Sequence, residues 1–183
     1  MIVLTVAIKC LSKSGENYNM SNSTSIDHIR IIELINHFGM AIDLRDWESF
    51  QSLFAETVEF DYSSIGEVAA TLHPADIANT ARSDLGGFQT TQHVITNHLV
   101  QVQDNNATCQ AHVRAMHFLP NDSGESTLEM GGYYTAKLVR IEDNWKIKGW
   151  KFTVLWSRGN EKLFELAKQT PNDAYDSTVS NEQ

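Results

Sequence analysis

The sequence predicts an α+β domain in which helices pack on one face of a mainly antiparallel β-sheet. Apolar residues recur at helical spacing through most of the first half of the chain. In the second half, β-branched and aromatic residues alternate with polar ones between short turn segments. The chain has 183 residues, of which 42% are hydrophobic and 20% are charged, so one domain with a buried core is expected.

Three helices and one strand are expected in the first half. Ser25 can cap a helix whose apolar stripe covers residues 31–42. Asp46 can cap a second, shorter helix. Alternating apolar side chains predict a strand over 57–63, and a third helix is expected over 75–85.

Four strands with hairpin-type connections are expected in the second half. Two extended runs flank a turn at 104–106, and a longer strand covers 127–140. Gly131-Gly132 within that strand favours a bulge. The last strand, 145–156, changes the face that carries its large apolar side chains near Gly149, which indicates a bend. A short C-terminal helix follows.

The hairpin brings two histidines to one face of the sheet. Suppose that residues 104–106 form a three-residue loop. Counting outward from it in steps of two then puts His93 directly opposite His117. The same register places Asn97 opposite Val113 on that face. A slip of one residue would move every side chain to the other face, so both pairings depend on this loop.

Composition excludes several classes of partner. The formal net charge is −9 and no basic run exists, so neither nucleic acid nor an anionic membrane surface is an expected partner. Cys10 and Cys109 form no disulfide framework, and a reducing cytoplasm is the simplest compartment. The chain has no Gly-rich phosphate loop.

Both ends are expected to lie outside the folded domain, which should cover residues 25–169. Residues 1–24 are expected to be a disordered or non-native extension, with Met20 as an alternative start to Met1. Residues 170–183 are polar and acidic, and a disordered tail is expected there.

Two alternatives compete for the histidine pair on residue types alone. Composition alone favours a structural pair of His93 and His117 across the hairpin, with a functional site as the alternative. Together with Asp43 they have the ligand types of a two-His-one-carboxylate metal site, but no ligand spacing supports it, so no metal is expected.

A set of segments in a defined order resembles one family. The segments are Ile42-Asp43-Leu44-Arg45-Asp46-Trp47, Phe60-Asp61-Tyr62, Thr91-Gln92-His93, His117 and Trp145-Lys146-Ile147-Lys148-Gly149-Trp150-Lys151. They are similar to the SnoaL-like group of the nuclear transport factor 2-like superfamily, with the scytalone dehydratase-like branch as the nearest match. The resemblance implies a cone-shaped, strongly curved mixed or antiparallel sheet, covered by N-terminal helices and enclosing a pocket.

The resemblance also implies a site and a chemistry. Asp43, Tyr62, His93 and His117 occupy the positions of the family's pocket residues. The related enzymes expel a small leaving group after removing a proton from carbon. A small apolar, aromatic or cyclic carbonyl substrate, no cofactor, and a homodimer or homotrimer are the corresponding expectations.

Further residues are expected to contact the substrate. Ile42 stands where the dehydratases carry Tyr, Thr135 and Lys137 match their Ser and Asn, and Trp150 replaces an Arg of the dehydrochlorinases. With the hairpin face added, the expected substrate-binding residues are Ile42, Asn97, Val113, Thr135, Lys137 and Trp150.

The favoured hypothesis is a cofactor-independent lyase, dehydratase-like, or an isomerase. His93 would be the general base, Asp43 would orient it, Tyr62 would donate to an enolate oxygen, and His117 would assist or protonate the leaving hydroxide. The alternative is a non-catalytic ligand-binding or dimerisation domain of the same fold. Close approach of Asp43 to His93 inside an enclosed pocket would favour the enzyme.

Overall fold

The computed structural model describes residues 22–170. The expected disorder of residues 1–21 and 171–183, and the choice between Met1 and Met20 as the start, lie outside the described residues. The first helix begins at Asn22, so residues 22–24 of the expected extension belong to it.

Four α-helices and six β-strands make up the described part of the chain. The helices are α1 (Asn22–Asp43), α2 (Trp47–Ser52), α3 (Pro74–Leu85) and α4 (Leu163–Lys168). The strands are β1 (Phe54–Asp61), β2 (Ala70–Leu72), β3 (Thr90–Gln103), β4 (Asn106–Phe118), β5 (Thr127–Ile141) and β6 (Asn144–Gly159). Within residues 22–170 no helix is both long enough and apolar enough to cross a membrane.

The strands form one curved, open sheet in the order β2-β1-β6-β5-β4-β3. Only the contact between β1 and β6 is parallel, and every other neighbouring pair is antiparallel. The predicted α+β architecture, with N-terminal helices over a mixed sheet, is confirmed. The short edge strand β2 was not expected, since its three residues carry no alternation that sequence patterning could detect.

The core lies between α1 and the inner face of the sheet. Ile31, Ile35 and Phe38, from the predicted stripe of α1, are at most 1% exposed. They face a row of alternate β4 residues that are all buried: Ala107, Cys109, Ala111, Val113, Ala115 and His117. Because most of these side chains are small, large aromatic rings from α1 and β6 fit above them.

Helix boundaries follow their capping chemistry. Asp46 caps α2 as predicted, since its Oδ1 accepts a hydrogen bond of 2.9 Å from the Ser49 N–H. The third helix begins at Pro74, a residue whose missing N–H is harmless in a first turn. The expected cap at Ser25 is wrong, because α1 has already begun at Asn22.

The register of the β3–β4 hairpin differs from the prediction. Gln103 pairs with Asn106, so the turn has two residues instead of three, and Asp104 takes a positive φ of 53° to close it. His93 is paired with Ala115, and the residue opposite His117 is Thr91. The predicted direct pairing of His93 with His117 is therefore wrong.

A bulge restores the side-chain parity that the shorter turn would have reversed. The register shifts between Thr96 and Leu99, and Asn97 adopts a φ of 57° there. Turn and bulge together displace the register by two residues, so His93 and His117 still share a face as diagonal neighbours.

Irregularities in β5 and β6 lie where the sequence indicated them. The pairing of these strands shifts between Gly131 and Gly132, as the double glycine predicted. A second shift occurs opposite Gly149, and the inward side chains of β6 change there from Trp145 and Ile147 to Trp150 and Phe152.

An ion pair between Asp27 and Arg140 joins the first half of α1 to β5. Asp27, 8% exposed, accepts hydrogen bonds from Arg140 Nη2 at 2.6 Å and from Trp145 Nε1 at 3.1 Å. Arg140 also lies 4.4 Å above the Trp145 ring. The hydrogen bond from Arg140 holds the pKa of Asp27 below its ordinary value.

We expect Asp27→Asn to lower the free energy of unfolding by about 1–2 kcal/mol near neutral pH, because two donors lose a charged acceptor. The difference between wild type and variant should shrink as pH falls through the lowered pKa of Asp27, since protonation removes the same charge. Urea titrations at several pH values measure this. Asp122→Asn, which changes an exposed loop carboxylate, is the control and should leave stability unchanged.

Candidate active site

A carboxylate–imidazole pair joins the end of α1 to β3. Asp43 Oδ1 lies 2.7 Å from His93 Nδ1, and Asp43 Oδ2 accepts the His93 backbone N–H at 2.7 Å. The side chains of His93 and Asp43 are only 5% and 15% exposed. One carboxylate thus holds both the main chain and the ring of the same histidine.

Close packing of α1 on β3 makes this contact possible. A Cβ at Gly39, one helical turn before Asp43, would lie 3.0 Å from His93 Cβ and 3.1 Å from Ile95 Cδ1. The helix therefore approaches the strand more closely at Gly39 than a larger residue would allow. This approach brings the last residue of α1 within reach of the His93 ring.

Two more side chains complete the surroundings of Asp43. The Thr91 hydroxyl donates to Asp43 Oδ1 at 2.8 Å, and Arg45 Nη1 donates to that hydroxyl at 3.0 Å. Thr91 is 4% exposed, so its hydroxyl relies on protein partners. The carboxylate accepts three hydrogen bonds in all.

The tautomer of His93 follows from its partner. An ionised carboxylate only accepts, so Nδ1 carries the proton in that contact and the neutral ring keeps a lone pair on Nε2. His93 also lines a cavity of about 660 Å³. A ring held in this way can accept a proton at Nε2, and the carboxylate behind it can stabilise the imidazolium that forms.

His117 differs from His93 in having no carboxylate partner in the described part of the chain. It is 2% exposed, its Nδ1 donates to the Leu128 carbonyl at 3.3 Å, and its ring packs against those of Phe88 and Phe164. Burial, reinforced by the neighbouring His93, lowers the pKa of His117 to about 3. His117 is therefore neutral at neutral pH and has a lone pair on Nε2.

The cavity is mainly apolar and aromatic around these polar groups. The rings of Phe60 and Tyr62 stack 4.7 Å apart in its wall, and Phe152 packs against Tyr62 at 5.6 Å. Charged side chains line another part of the cavity, where Lys168 forms an ion pair of 3.0 Å with Asp84. The site therefore combines an apolar interior with a few polar groups, as small-molecule sites usually do.

Two tyrosines line this cavity as neutral hydroxyl groups. Burial raises the pKa of Tyr62, and the indole N–H of Trp150 opposes that rise only in part. Burial also raises the pKa of Tyr134 well above its ordinary value, with Tyr62 and Asp43 as further causes. Both rings pack against Phe152, so two phenols that can donate hydrogen bonds lie on one side of the cavity.

Three residues expected at the pocket lie elsewhere. Asn97 is exposed because it forms part of the β3 bulge. Lys137 is exposed and pairs with Glu59 at 2.6 Å, and Thr135 points to the same outer face. Because β5 residues alternate between faces, the pocket receives Tyr134 in place of Thr135.

The other expected contact residues divide into two groups. Four of the expected residues line the cavity: Ile42, Tyr62, His93 and His117. Val113 and Trp150 are 4% and 1% exposed and belong to the hydrophobic core. Trp150 stacks at 3.9 Å on Phe38, a residue that lines the cavity, so it packs against the cavity wall from the core.

Sequence reasoning missed Thr91, Arg45 and Tyr134. Tyr134 is paired with Ala111, which the sequence had already placed on the same face as the histidines. The register of that pairing could not be predicted, because the length of the 119–126 connection between β4 and β5 does not fix it. Thr91 and Arg45 lie inside the segments that carried the family resemblance, yet their contacts join positions 46 residues apart. Within residues 22–170 no group of three His, Cys, Asp or Glu side chains converges to hold a metal ion.

The chain belongs to the family of SnoaL-like domains, whose model matches residues 23–151. A curated relative, scytalone dehydratase arp1 of Aspergillus fumigatus, is 26% identical over 153 residues, covering 78% of this chain and 90% of the relative. The expected family and its scytalone dehydratase relationship are therefore confirmed.

Solved structures show the same fold. The Kfla4162 protein from Kribbella flavida superposes with a TM-score of 0.71 at 28% identity, covering 79% of this chain and 98% of that one. A hexachlorocyclohexane dehydrochlorinase from Novosphingobium barchaimii gives a TM-score of 0.61 at 15% identity, covering 75% and 92%.

The buried His117 should make the fold sensitive to acid. Its folded-state pKa is lowered to about 3 from an ordinary 6.5, so the unfolded chain takes up a proton over that interval and the folded chain does not. Protonation of His117 therefore costs the fold no stability above pH 6.5. Below that value the free energy of unfolding falls as pH decreases towards 3.

We expect the loss attributable to His117 between pH 7 and pH 5 to be roughly 2 kcal/mol. Urea unfolding of wild type and His117→Phe at both pH values isolates this loss, because carboxylate contributions are common to both proteins. His117→Phe should lose less stability on acidification. Equal slopes for the two proteins would show that His117 protonates as readily folded as unfolded.

Proposed function

We propose that this protein is a cofactor-independent lyase that eliminates a small leaving group, by dehydration, from a cyclic or polyketide-like carbonyl compound. The observation that carries the proposal is the Asp43–His93 pair at 2.7 Å, because His93 presents an unprotonated Nε2 in the wall of an apolar cavity. This geometry favours an enzyme over a domain that only binds a ligand or dimerises.

Proton abstraction is the first step of the proposed reaction. His93 Nε2 takes a proton from the carbon next to the substrate carbonyl, and the electron pair of that C–H bond forms an enolate. The Nδ1 proton stays on His93, and Asp43 accepts its hydrogen bond and stabilises the imidazolium. The neutral hydroxyls of Tyr62 and Tyr134 lie in the same cavity and would donate hydrogen bonds to the enolate oxygen.

Loss of the leaving group completes the reaction. The enolate re-forms the carbonyl, a C=C bond forms, and the bond from the β-carbon to its hydroxyl breaks. His93 then returns the proton to the departing oxygen, which leaves as water. Returning the proton to a different carbon instead would make the same site an isomerase.

His117 suits orientation better than proton donation. Its Nδ1 proton is engaged by the Leu128 carbonyl and its lowered pKa leaves Nε2 unprotonated at neutral pH. We therefore assign His117 the task of accepting a hydrogen bond from a substrate hydroxyl. This replaces the expectation that His117 protonates the leaving hydroxide.

The assembly and compartment remain part of the proposal. A homodimer or homotrimer is proposed, supported by exposed apolar side chains on the sheet such as Leu155 and Trp156. A cytoplasmic location is proposed, supported by the free, buried thiol of Cys109. Light scattering after size-exclusion chromatography would measure the assembly.

Two assays test the reaction while the substrate itself is unidentified. Scytalone is the first probe, because the curated relative is a scytalone dehydratase, and its dehydration is followed by absorbance and mass spectrometry. A panel of cyclic ketones with a β-hydroxyl group is then incubated in D₂O. Uptake of deuterium at the α-carbon reports proton abstraction even where no water is lost.

We expect Asp43→Asn to lower turnover by ~10²–10⁴, because the amide no longer holds the Nδ1–H tautomer or stabilises the imidazolium. The free energy of unfolding should change by less than about 2 kcal/mol, since the two side chains have nearly the same shape. Asp46→Asn is the matched control, because asparagine also caps α2. Retained turnover with a large loss of stability would assign Asp43 a structural role only.

We expect Tyr134→Phe to lower turnover by about 10- to 100-fold, the effect of losing one hydrogen bond to a developing charge. Tyr133→Phe is the matched control, since Tyr133 precedes Tyr134 on β5 and points to the opposite face of the sheet. The measurement is kcat on whichever substrate the two assays identify. Equal rates for the two variants would exclude Tyr134 from the oxyanion site.

A further inference from the structure

We propose that Arg45 and Thr91 form a hydrogen-bond relay that positions Asp43, and through Asp43 holds His93 in the tautomer needed for proton abstraction. Both are positioning residues, since neither lines the cavity. This inference rests on the proposed function of the Asp43–His93 pair.

The direction of the relay is set by the chemistry of its end groups. A guanidinium group can only donate, so the Thr91 hydroxyl accepts from Arg45 Nη1 at 3.0 Å. The single proton of that hydroxyl is then directed to Asp43 Oδ1 at 2.8 Å. Thr91 therefore cannot rotate its proton away from the carboxylate without leaving two donors facing each other.

Arg45 is itself held in place from two other directions. Its Nη1 donates to the Ile42 carbonyl at 2.8 Å and its Nη2 to the Phe88 carbonyl at 3.4 Å. Its backbone has a positive φ of 58°, a conformation that non-glycine residues seldom adopt. The side chain thus links the end of α1 to the segment that precedes β3.

The intervening hydroxyl leaves the carboxylate available to the histidine. Asp43 uses Oδ1 for both Thr91 and His93 Nδ1, and Oδ2 for the His93 backbone N–H. A forked guanidinium bonded directly to the carboxylate would compete for these lone pairs. With Thr91 between them, Arg45 restricts rotation of the carboxylate while the imidazole keeps its own acceptor.

The relay also lies next to His117, the second histidine of the cavity. Thr91 is the strand partner of His117, and both are almost completely buried. The positive charge of Arg45 contributes to lowering the pKa of His117. Removing the relay is therefore expected to affect both imidazoles, whereas a purely structural threonine would affect neither.

The test compares Thr91→Val, which keeps the shape but removes the hydroxyl, with Thr91→Ser, which keeps the hydroxyl. Thr96→Val, an exposed threonine on the same strand, is the control. Thr91→Val should lower kcat by about 10- to 100-fold with KM changed less than about threefold. Thr91→Ser and Thr96→Val should stay within about threefold of wild type for both constants.

The second readout does not depend on activity. Long-range ¹H–¹⁵N spectra of the imidazoles report which ring nitrogen of His93 carries the proton. The Nδ1–H form should dominate in wild type and Thr91→Ser, and the Nε2–H form should be present in Thr91→Val. If Thr91→Val does not fold, Arg45→Met removes the same relay at its other end and should give the same spectra.

The outcomes separate this inference from the proposed function. An altered His93 tautomer in Thr91→Val supports the relay even if no substrate is ever turned over. An unchanged tautomer in folded Thr91→Val or Arg45→Met would overturn the relay, whether or not the protein proves to be an enzyme. Equal loss of kcat in Thr91→Ser and Thr91→Val would also overturn it, because the hydroxyl would then be irrelevant.

Discussion

The hydrogen bonds between Asp43 and His93 join the last residue of a long helix to the edge strand of the sheet. Among the strands of residues 22–170, β3 pairs only with β4, and exposed edges of this kind invite unwanted pairing. Helix α1 packs closely against β3 at Gly39, and the carboxylate then binds both the main chain and the ring of His93. One contact therefore fixes the edge of the sheet and orients the proposed base.

The parts of the fold that depend on local chemistry could be predicted from the sequence. The α1 stripe, the Asp46 cap and the irregularity at Gly131-Gly132 each follow from residues close together in the chain. The hairpin register could not be predicted, because Asp104-Asn105-Asn106 is compatible with either a two- or a three-residue turn. His93 and His117 were nevertheless placed on the correct face, since the bulge at Asn97 offset the error in the turn.

The polar shell of the candidate site required information that patterning does not contain. The two histidines were found by counting along the hairpin, and Asp43 and Tyr62 by resemblance. Thr91, in contrast, is defined by hydrogen bonds to residues on other elements. Tyr134 was missed for a different reason. Its strand was expected in the right place, but Thr135 was assigned to the pocket, and an error of one position exchanges the inner and outer faces of a strand.

The two histidines of the cavity have different surroundings, and these suit them to different proposed roles. Their rings lie 6.0 Å apart, yet only His93 has a carboxylate against its Nδ1, whereas His117 has a neutral carbonyl. Burial, together with the neighbouring His93, lowers the pKa of His117 and disfavours a charge on it. The Asp43 carboxylate beside His93 Nδ1 suits the proposed base, which gains a proton and returns it. The ring of His117, neutral and packed against aromatic side chains, fits its proposed role as a fixed hydrogen-bond acceptor.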